Sequence, residues 1–207
     1  MITGIEVIKM YELDYYLGCL IKYNQGNKNP YHNLFHTLSV VKNIYLISKT
    51  ENIEDERLRL MLIAGIFHDF NHSGGKHKKD KYNILDAVIA YYQYTKELDE
   101  DSSFIVKMIS ITEYPFREGE LNIYQKIMRD ADVMQWLEDN FLQQNVIGLN
   151  LELNNSGDIT IEVLENNIKF MKSVEFFTDY TKHAMLHKLH RKLEECEYLI
   201  KILKEND

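Results

Sequence analysis

Proline and glycine are scarce in this 207-residue chain, which contains only 2 Pro and 9 Gly. These residues form the frequent turns between the short strands of β-sandwiches and barrels, so their scarcity argues against such folds. Long, uninterrupted helices tolerate this composition better. The sequence therefore predicts an all-α fold. Its length is close to that of one typical domain, so we expect a single compact domain over residues 1–207.

Cysteines are also few, and long hydrophobic segments are absent. Cys19 and Cys196 have no paired spacing, which favours a reducing compartment over a disulfide framework. The longest apolar run, residues 60–67, has 8 residues, far fewer than the roughly 20 that a membrane span requires. Residues 1–18 lack the basic and apolar regions of a signal peptide. We therefore expect a cytoplasmic protein that does not associate with membranes.

Positive charge is in the minority. The 24 Lys and Arg residues face 32 Asp and Glu residues, which gives a net charge of −8. This balance disfavours a broad basic surface for nucleic acid or for an anionic membrane. A phosphate-bearing ligand would have to be held at a local cationic centre, so we expect a small-molecule partner and no large nucleic acid.

Apolar residues recur every three or four positions along most of the chain, which predicts helices. Thr3 and Glu6 have the spacing of a capping box and begin a helix that is predicted to continue to Asn24. Pro30 begins a second helix. A third, over residues 55–67, is apolar almost all round and should be buried. The remaining predicted helices cover residues 82–98, 102–112, 124–146, 162–172 and 179–204.

Two segments have other patterns. Residues 149–153 alternate as Leu-Asn-Leu-Glu-Leu before a turn-forming Asn-Asn-Ser-Gly-Asp, which favours a short extended arm near 149–158. In the last helix an apolar seam recurs at alternating steps of three and four: Leu186, Leu189, Leu193, Cys196, Ile200 and Leu203. Such a seam favours core packing, with a homodimer through the C-terminal helix as the alternative.

Four histidines and two aspartates form a candidate metal site. His32 and His36 are four residues apart and so share one face of a helix, and the same holds for His68 and His72 if their helix continues that far. Asp69 follows His68 directly, and Asp132 lies on a later apolar helix. Imidazoles with carboxylates form the mixed ligand set that zinc, manganese or iron accept, and a bridging carboxylate admits a harder ion such as magnesium.

Three pieces of the sequence, in this order, resemble a known family. They are NPYHNLFH at residues 29–36, AGIFHDFNHSG at residues 64–74, and Asp132. Together they resemble the HD-superfamily metal-dependent phosphohydrolases, and more closely the catalytic domain of the class I cyclic nucleotide phosphodiesterases. The resemblance covers the first two thirds of the chain and implies an HD-domain helical bundle.

The resemblance implies two divalent metal ions. It assigns His36, His68, Asp69 and Asp132 to the first ion, which would be Zn, Mn or Fe. Asp69 would bridge to a second, mostly water-ligated ion, Mg or Mn. A hydroxide between the ions would attack phosphorus, since metal binding lowers the pKa of water to about 7. The implied reaction is hydrolysis of a 3′,5′-cyclic nucleotide or a related cyclic nucleotide signal.

The resemblance also implies catalytic and substrate-binding residues. His32 would be the general acid that protonates the leaving 3′ oxygen, and His72 would orient the water shell of the second metal or the phosphate. Asn83 matches a family asparagine if residues 76–81 are an insertion. The implied substrate-binding residues are Tyr31, Asn33, Asn83, Asp86, Thr112, Glu113, Phe176 and Phe177.

Within that set, Asp86, Thr112 and Glu113 would contact the waters of the second metal, and Phe176 or Phe177 would clamp a purine. The glutamine that precedes the phenylalanine clamp in the family is missing, since Ser173 or Val174 stands in its place. This departure puts base recognition by the family's hydrogen-bonding mode in doubt. Two alternatives therefore stay open: an HD nucleotide phosphohydrolase acting on nucleoside mono- or triphosphates, and a non-catalytic nucleotide-binding HD domain.

Overall fold

A computed structural model describes residues 2–77, 79–95, 101–116, 118–184 and 186–206. Within these ranges the fold is all-α and contains no β-strand, which confirms the predicted class. The α-helices in chain order are α1 (Gly4–Met10), α2 (Asp14–Tyr23), α3 (Leu34–Thr50), α4 (Asp55–Phe67), α5 (Lys81–Thr95), α6 (Ser102–Ser110), α7 (Ile123–Val133), α8 (Leu149–Asn154), α9 (Ile161–Ser173), α10 (Asp179–Ala184) and α11 (Leu186–Asn206). Short 3₁₀ turns cover Gln25–Lys28 and Met134–Leu137, and a π-helix covers Leu142–Gly148.

Helix α4 forms the centre of the main hydrophobic core. Every residue from Leu60 to Phe67 is buried, and α2, α3, α5 and α6 pack around the helix. A helix that is apolar on all sides has no face that tolerates water, so it is surrounded by other helices. The C-terminal end of α4 thereby delivers His68 and Asp69 to the interior. Neither α4 nor any other helix among the described residues is long and apolar enough to cross a bilayer.

A smaller apolar cluster lies between α9, α11 and the segment after α7. The seam of the C-terminal helix packs into this cluster through Leu193, Cys196, Ile200 and Leu203, and Leu189 contacts both clusters. Helices α9 and α11 pack closely along their lengths. The seam from Leu189 onward therefore packs within the chain, in agreement with the core-packing interpretation, whereas Leu186 at its start is 53% exposed.

Two predicted helices are interrupted. Helix α1 has the predicted capping box, but it ends at Met10, because Glu12 adopts a left-handed φ of 54° that a right-handed helix cannot accommodate. The helix predicted over 124–146 divides into α7, a 3₁₀ turn and the π-helix. Residues 96–98 of the predicted 82–98 helix lie outside the described residues, and so does Met185 between α10 and α11.

Residues 149–158 do not form the expected extended arm. Leu149–Asn154 form α8, which ends at Asn155 with a left-handed φ of 54°. Asn150 and Glu152 are buried, whereas Leu151 and Leu153 are exposed. The prediction is wrong because Glu152, and neither Leu151 nor Leu153, has partners in the interior: its carboxylate accepts backbone N–H groups from the segment before α3.

Candidate functional site

Four predicted ligands from three helices converge on one point. Nε2 of His36 on α3 lies 3.1 Å from a carboxylate oxygen of Asp69 and 3.1 Å from one of Asp132. Nε2 of His68 lies 3.1 Å and 3.6 Å from the same two oxygens. Neighbouring ligands bound at about 2.1 Å to one ion lie about 3.0–3.4 Å apart in octahedral or tetrahedral geometry. The two Nε2 atoms and the Asp69 carboxylate are therefore close enough together to share a metal ion, and Asp132 contacts both imidazoles.

Hydrogen bonds behind the two imidazoles aim their Nε2 atoms at this point. Nδ1 of His68 donates to the carbonyl oxygen of Gly65 at 2.8 Å, and Nδ1 of His36 donates to the side-chain oxygen of Gln135. With the proton on Nδ1, each Nε2 carries a lone pair. The two Nε2 atoms lie 3.1 Å apart, and lone pairs that close repel each other unless a cation lies between them. The donor set therefore fits a divalent cation.

Electrostatics at this point also favour a cation. Burial alone would lower the pKa of His36, but the Asp132 and Asp69 carboxylates outweigh it and raise the pKa to about 9. Burial would raise the pKa of Asp132, whereas hydrogen bonds from His36 and His68 lower it to about 2. Both carboxylates stay charged, and their negative charge attracts a cation to this point; a divalent ion bound here would replace the Nε2 protons of the imidazoles.

A second cluster, of His32, His72 and Glu152, lies beside the first, with the rings of His32 and His36 5.8 Å apart. Nδ1 of His32 is 2.5 Å from Oε1 of Glu152, while Oε2 accepts the backbone N–H groups of Tyr31 and His32 at 2.9 and 3.0 Å. Burial would raise the pKa of Glu152, but hydrogen bonds from His32 and His72 hold it well below its usual range. The carboxylate keeps a proton on Nδ1 of His32, which leaves Nε2 to exchange a proton with a ligand.

His72 supports the His32 ring. The two imidazoles stack with their centroids 3.6 Å apart. The amide of Asn83 is oriented by the N–H of Ser73, which donates to Oδ1, so Nδ2 donates to Nε2 of His72 at 2.9 Å. On the other side of the ring, Nδ1 accepts the backbone N–H of Gly74 at 3.2 Å and lies 3.4 Å from Oε1 of Glu152. The orientation of the His72 ring is therefore fixed by Asn83 on one side and by Gly74 and Glu152 on the other.

Neither histidine pair shares a helical face, although the spacing of four predicts that both do. His32 precedes Asn33, which is the N-cap of α3. Helix α4 ends at Phe67, and turns lead to His72 through a left-handed φ of 63° at Asn71. The rings of His32 and His72 stack because the segment before α3 and the segment after α4 lie side by side. The two segments are joined by the hydrogen bond from Asn29 Nδ2 to the His72 carbonyl at 2.8 Å.

Two glycines permit the close packing around the second cluster. Gly74 has a φ of 65°, and a Cβ there would lie 2.7 Å from Oδ1 of Asn29. A Cβ on Gly148, the last residue of the π-helix, would lie 3.1 Å from the carbonyl oxygen of Pro30. The absent side chain lets α8 approach the segment before α3. Glu152 thereby reaches the backbone of that segment.

Tyr31 and Asn33, both predicted to bind substrate, lie in the wall behind the histidines. Tyr31 is buried, with its ring 4.7 Å from that of His32 and 5.1 Å from that of His36. Asn33 uses its oxygen to cap α3 at the N–H of Phe35, and its nitrogen donates to two backbone carbonyls. Both residues therefore fix the backbone that carries His32 and His36.

The candidates near the start of α5 and the end of α6 have varied surroundings. Asp86 is half exposed and lies 3.3 Å from His77. Thr112 is buried and donates its hydroxyl to the carbonyl of Ile109, while Glu113 is half-buried. The carboxylate that joins Asn83 to the 112–114 segment is that of Asp80, which accepts the amide of Asn83 and the N–H of Tyr114 at 2.9 and 2.8 Å.

The segment that carries Phe177 is held by a buried carboxylate. Asp130 accepts the backbone N–H groups of Phe177 and Thr178 at 3.0 and 2.8 Å, and also two threonine hydroxyls. The guanidinium of Arg129 lies 4.4 Å from the ring centre of Phe116 and 5.9 Å from that of Phe177. Arg129 therefore takes one face of this candidate purine clamp.

Phe176, the other candidate clamp, has different neighbours. It lines a small apolar pocket together with Trp136 and Phe170. It also packs against the main core. The two adjacent phenylalanines therefore differ in what surrounds them: one faces a cation, and the other faces apolar side chains.

Sequence reasoning misses three residues that organise the site, namely Gln135, Glu152 and Asp80. Gln135 follows Asp132 by three residues, so helical spacing was a usable signal for it. Glu152 lies within an alternating pattern that favours a strand, and no local feature of the sequence predicts its contact with His32. Asp80 lies in a polar loop, where the sequence contains no signal that distinguishes a functional carboxylate from a solvated one.

Comparisons with known protein families, with curated proteins and with solved structures found no match to the chain. What the site does must then be inferred from its own geometry.

Proposed function

We propose that this protein is a metal-dependent phosphodiesterase that hydrolyses a 3′,5′-cyclic nucleotide or a related cyclic nucleotide signal. The observation that carries this proposal is the juxtaposition of a pocket of four metal-ligand donors with the His32–Glu152 pair. The first cluster suits a cation and the second suits proton transfer. Cleavage of a phosphate ester from a sugar draws on both, because the phosphorus needs an activated nucleophile and the departing sugar oxygen needs a proton.

His36, His68, Asp69 and Asp132 would hold the first divalent cation, of the Zn, Mn or Fe type. Their two imidazoles are almost wholly buried, whereas the Asp69 and Asp132 side chains are 15% and 19% exposed, so the carboxylates face the open side of the pocket. Asp69 is the proposed bridge to a second ion, Mg or Mn, by resemblance to the HD superfamily. A cation bound here polarises a phosphoryl oxygen and lowers the pKa of a bound water.

His32 would act as the general acid. In its imidazolium form Nδ1–H donates to Glu152, and Nε2–H is free to pass its proton to the leaving sugar oxygen. The contact with Glu152 fixes the orientation of the His32 ring. The stacked ring of His72 holds the plane of His32, and the His32 side chain retains some exposure to the cleft.

The buried partner of His32 favours this reaction over triphosphate hydrolysis and over a non-catalytic role, whereas hydrolysis of a nucleoside monophosphate also releases a sugar oxygen and is separated by the substrate panel below. A diphosphate leaving group is a stable anion, so a nucleoside triphosphate phosphohydrolase has little need of an acid. A non-catalytic nucleotide-binding domain needs neither the acid nor the activated water. The chain also has a net charge of −8, so the metal pocket would supply the local positive charge that holds a phosphate.

The test is turnover of a substrate panel by purified protein loaded with manganese or magnesium. We expect hydrolysis of at least one cyclic mono-, di- or trinucleotide, and loss of that activity on chelation. His32→Ala should reduce the rate by about 10²-fold or more at unchanged metal content, whereas His190→Ala, an exposed histidine on α11, should have no effect.

Phosphate release from nucleoside mono- or triphosphates, with no turnover of any cyclic nucleotide, would contradict the proposal. Nucleotide that binds metal-replete protein without hydrolysis would support the non-catalytic alternative.

A further inference from the structure

The outer face of α5 carries an apolar stripe that no described part of the chain covers. Tyr82, Leu85, Ile89 and Tyr92 are 46%, 52%, 52% and 49% exposed. Steps of three, four and three residues place them along one side of the helix. The buried residues of α5 lie on the opposite side, against α4 and α6. The helix is therefore apolar on two faces, although packing within the chain uses only one.

The stripe is large enough to take part in an interface. A whole aromatic side chain presents roughly 150–250 Å², so four half-exposed side chains present about 400 Å², the size of the largest patch on a typical monomer. Packing this patch against a second copy of itself would bury about 800 Å² in total, which is at the small end of specific protein interfaces.

Two charges flank the stripe in a self-complementary arrangement. In the heptad notation for paired helices, Tyr82 and Ile89 occupy a positions, and Leu85 and Tyr92 occupy d positions. Lys81 is then a g residue, and Asp86 is an e residue. In a parallel pair a g residue lies next to the partner's e residue five positions later. Two parallel copies of α5 would therefore place Lys81 next to Asp86 on both sides of the seam. The stripe thus fits a second copy of itself.

We propose that this protein forms a homodimer in which two copies of α5 pack in parallel across a two-fold axis. In this parallel arrangement each residue of the stripe contacts its own counterpart, and the same patch is used on both subunits, as in any isologous interface. The C-terminal helix does not supply this contact, because its leucine seam from Leu189 onward already packs within the chain against α9. Asn83, which supports His72, lies on the buried side of α5, so the interface leaves the site's hydrogen bonds intact.

Sedimentation equilibrium of the full chain tests the interface. We expect a mass of about twice 24.6 kDa for the unmodified chain, and an increase of about 10²-fold or more in the dimer dissociation constant for the double variant Leu85→Glu with Ile89→Glu. The matched control is Leu186→Glu with Ile202→Glu, which places the same charges at exposed positions of α11. The control should stay dimeric, and circular dichroism should show that both variants stay helical.

Charge and cross-linking variants test whether the two copies of α5 pack in parallel. These variants change exposed residues and leave the packing of α5 on α4 undisturbed. Lys81→Asp should weaken the dimer, because it sets a second carboxylate against Asp86 of the other copy, and adding Asp86→Lys should restore it. Leu85→Cys should form a disulfide-linked dimer, whereas Leu186→Cys should not; the two natural cysteines are buried.

Three outcomes would overturn the proposal: a monomer at all concentrations, a dimer that only the α11 variants disrupt, or a dimer in which Lys81→Asp has no effect. Binding of the stripe to lipid vesicles by a monomeric chain would overturn it as well.

Discussion

Nδ1 of His32 lies 2.5 Å from Oε1 of Glu152, although 120 residues separate them in the sequence. The second oxygen of the same carboxylate accepts the backbone N–H groups of Tyr31 and His32. One buried side chain on α8 thus fixes both the ring of the proposed acid and the backbone that carries it. The position of α8 is therefore as important to the proposed chemistry as the metal ligands.

Glu152→Gln should lower kcat on the order of 10²-fold while leaving the bound metal unchanged. The amide keeps the size of the side chain, but it has one acceptor oxygen in place of two. Its NH₂ group must therefore face either Nδ1 of His32 or the backbone N–H groups of Tyr31 and His32. The measurements are kcat for the best substrate of the panel and metal content by elemental analysis. Glu165→Gln, at an exposed position of α9, is the matched control. Equal losses in both variants, or a loss of metal with the loss of rate, would refute the acid-supporting role.

His68→Ala should weaken metal binding by about 10²-fold or more, because it removes a donor atom that lies 3.1 Å from Nε2 of His36 and 3.1 and 3.6 Å from the Asp69 and Asp132 carboxylates. The measurement is the metal-to-protein ratio after dialysis, together with the rise in melting temperature on metal addition, which should disappear. His187→Ala, on the exposed side of α11, should keep both. Unchanged metal content in His68→Ala would mean that the ion binds elsewhere.

Gln135→Leu should reduce metal affinity by about 10- to 100-fold without abolishing binding. Leucine has a similar volume but accepts no hydrogen bond, so the ring of His36 loses the partner that fixes its tautomer. At saturating metal the rate should recover, which separates this effect from damage to the acid. Titration of activity against free metal provides the readout, with the exposed Gln143→Leu as control. A rate that stays low at saturating metal would argue against this positioning role.

Gly148→Ala and Gly18→Ala should change stability in opposite directions. A Cβ at Gly148 would meet backbone oxygens of Pro30 and Gln143 at 3.1 and 3.2 Å, so we expect a loss of about 1–3 kcal/mol. A Cβ at Gly18 meets nothing within 4 Å, and alanine in α2 should gain about 0.5–1 kcal/mol. Urea unfolding measures both. Only Gly148→Ala should also lower kcat, since it displaces Glu152; an unaffected rate would show that α8 tolerates the shift.

Several features of the fold followed from local sequence. The scarcity of proline and glycine and the periodicity of apolar residues predict an all-α chain, and the capping box at Thr3 and Glu6 forms as predicted. The position of the first break, at Glu12, did not follow, because no proline or glycine stands there. The sequence also brought His36, His68, Asp69 and Asp132 together as one candidate set, and the structure places them around one point.

The alternation at 149–153 marks the limit of such reasoning. The pattern Leu-Asn-Leu-Glu-Leu is compatible with a strand that buries leucines and with a helix that buries Asn150 and Glu152, and the local residues do not distinguish them. The choice depends on which side chains find partners, and the partner of Glu152 lies in the segment before α3.

By itself, therefore, the sequence determined the helical class of this protein and the chemical inventory of its site, because both depend on residue type and short-range spacing. Only the tertiary structure decided that Glu152 meets His32, that Gln135 holds His36, and that α5 keeps an apolar face outside. All three depend on how whole helices pack against one another, and residue type and short-range spacing do not specify that packing.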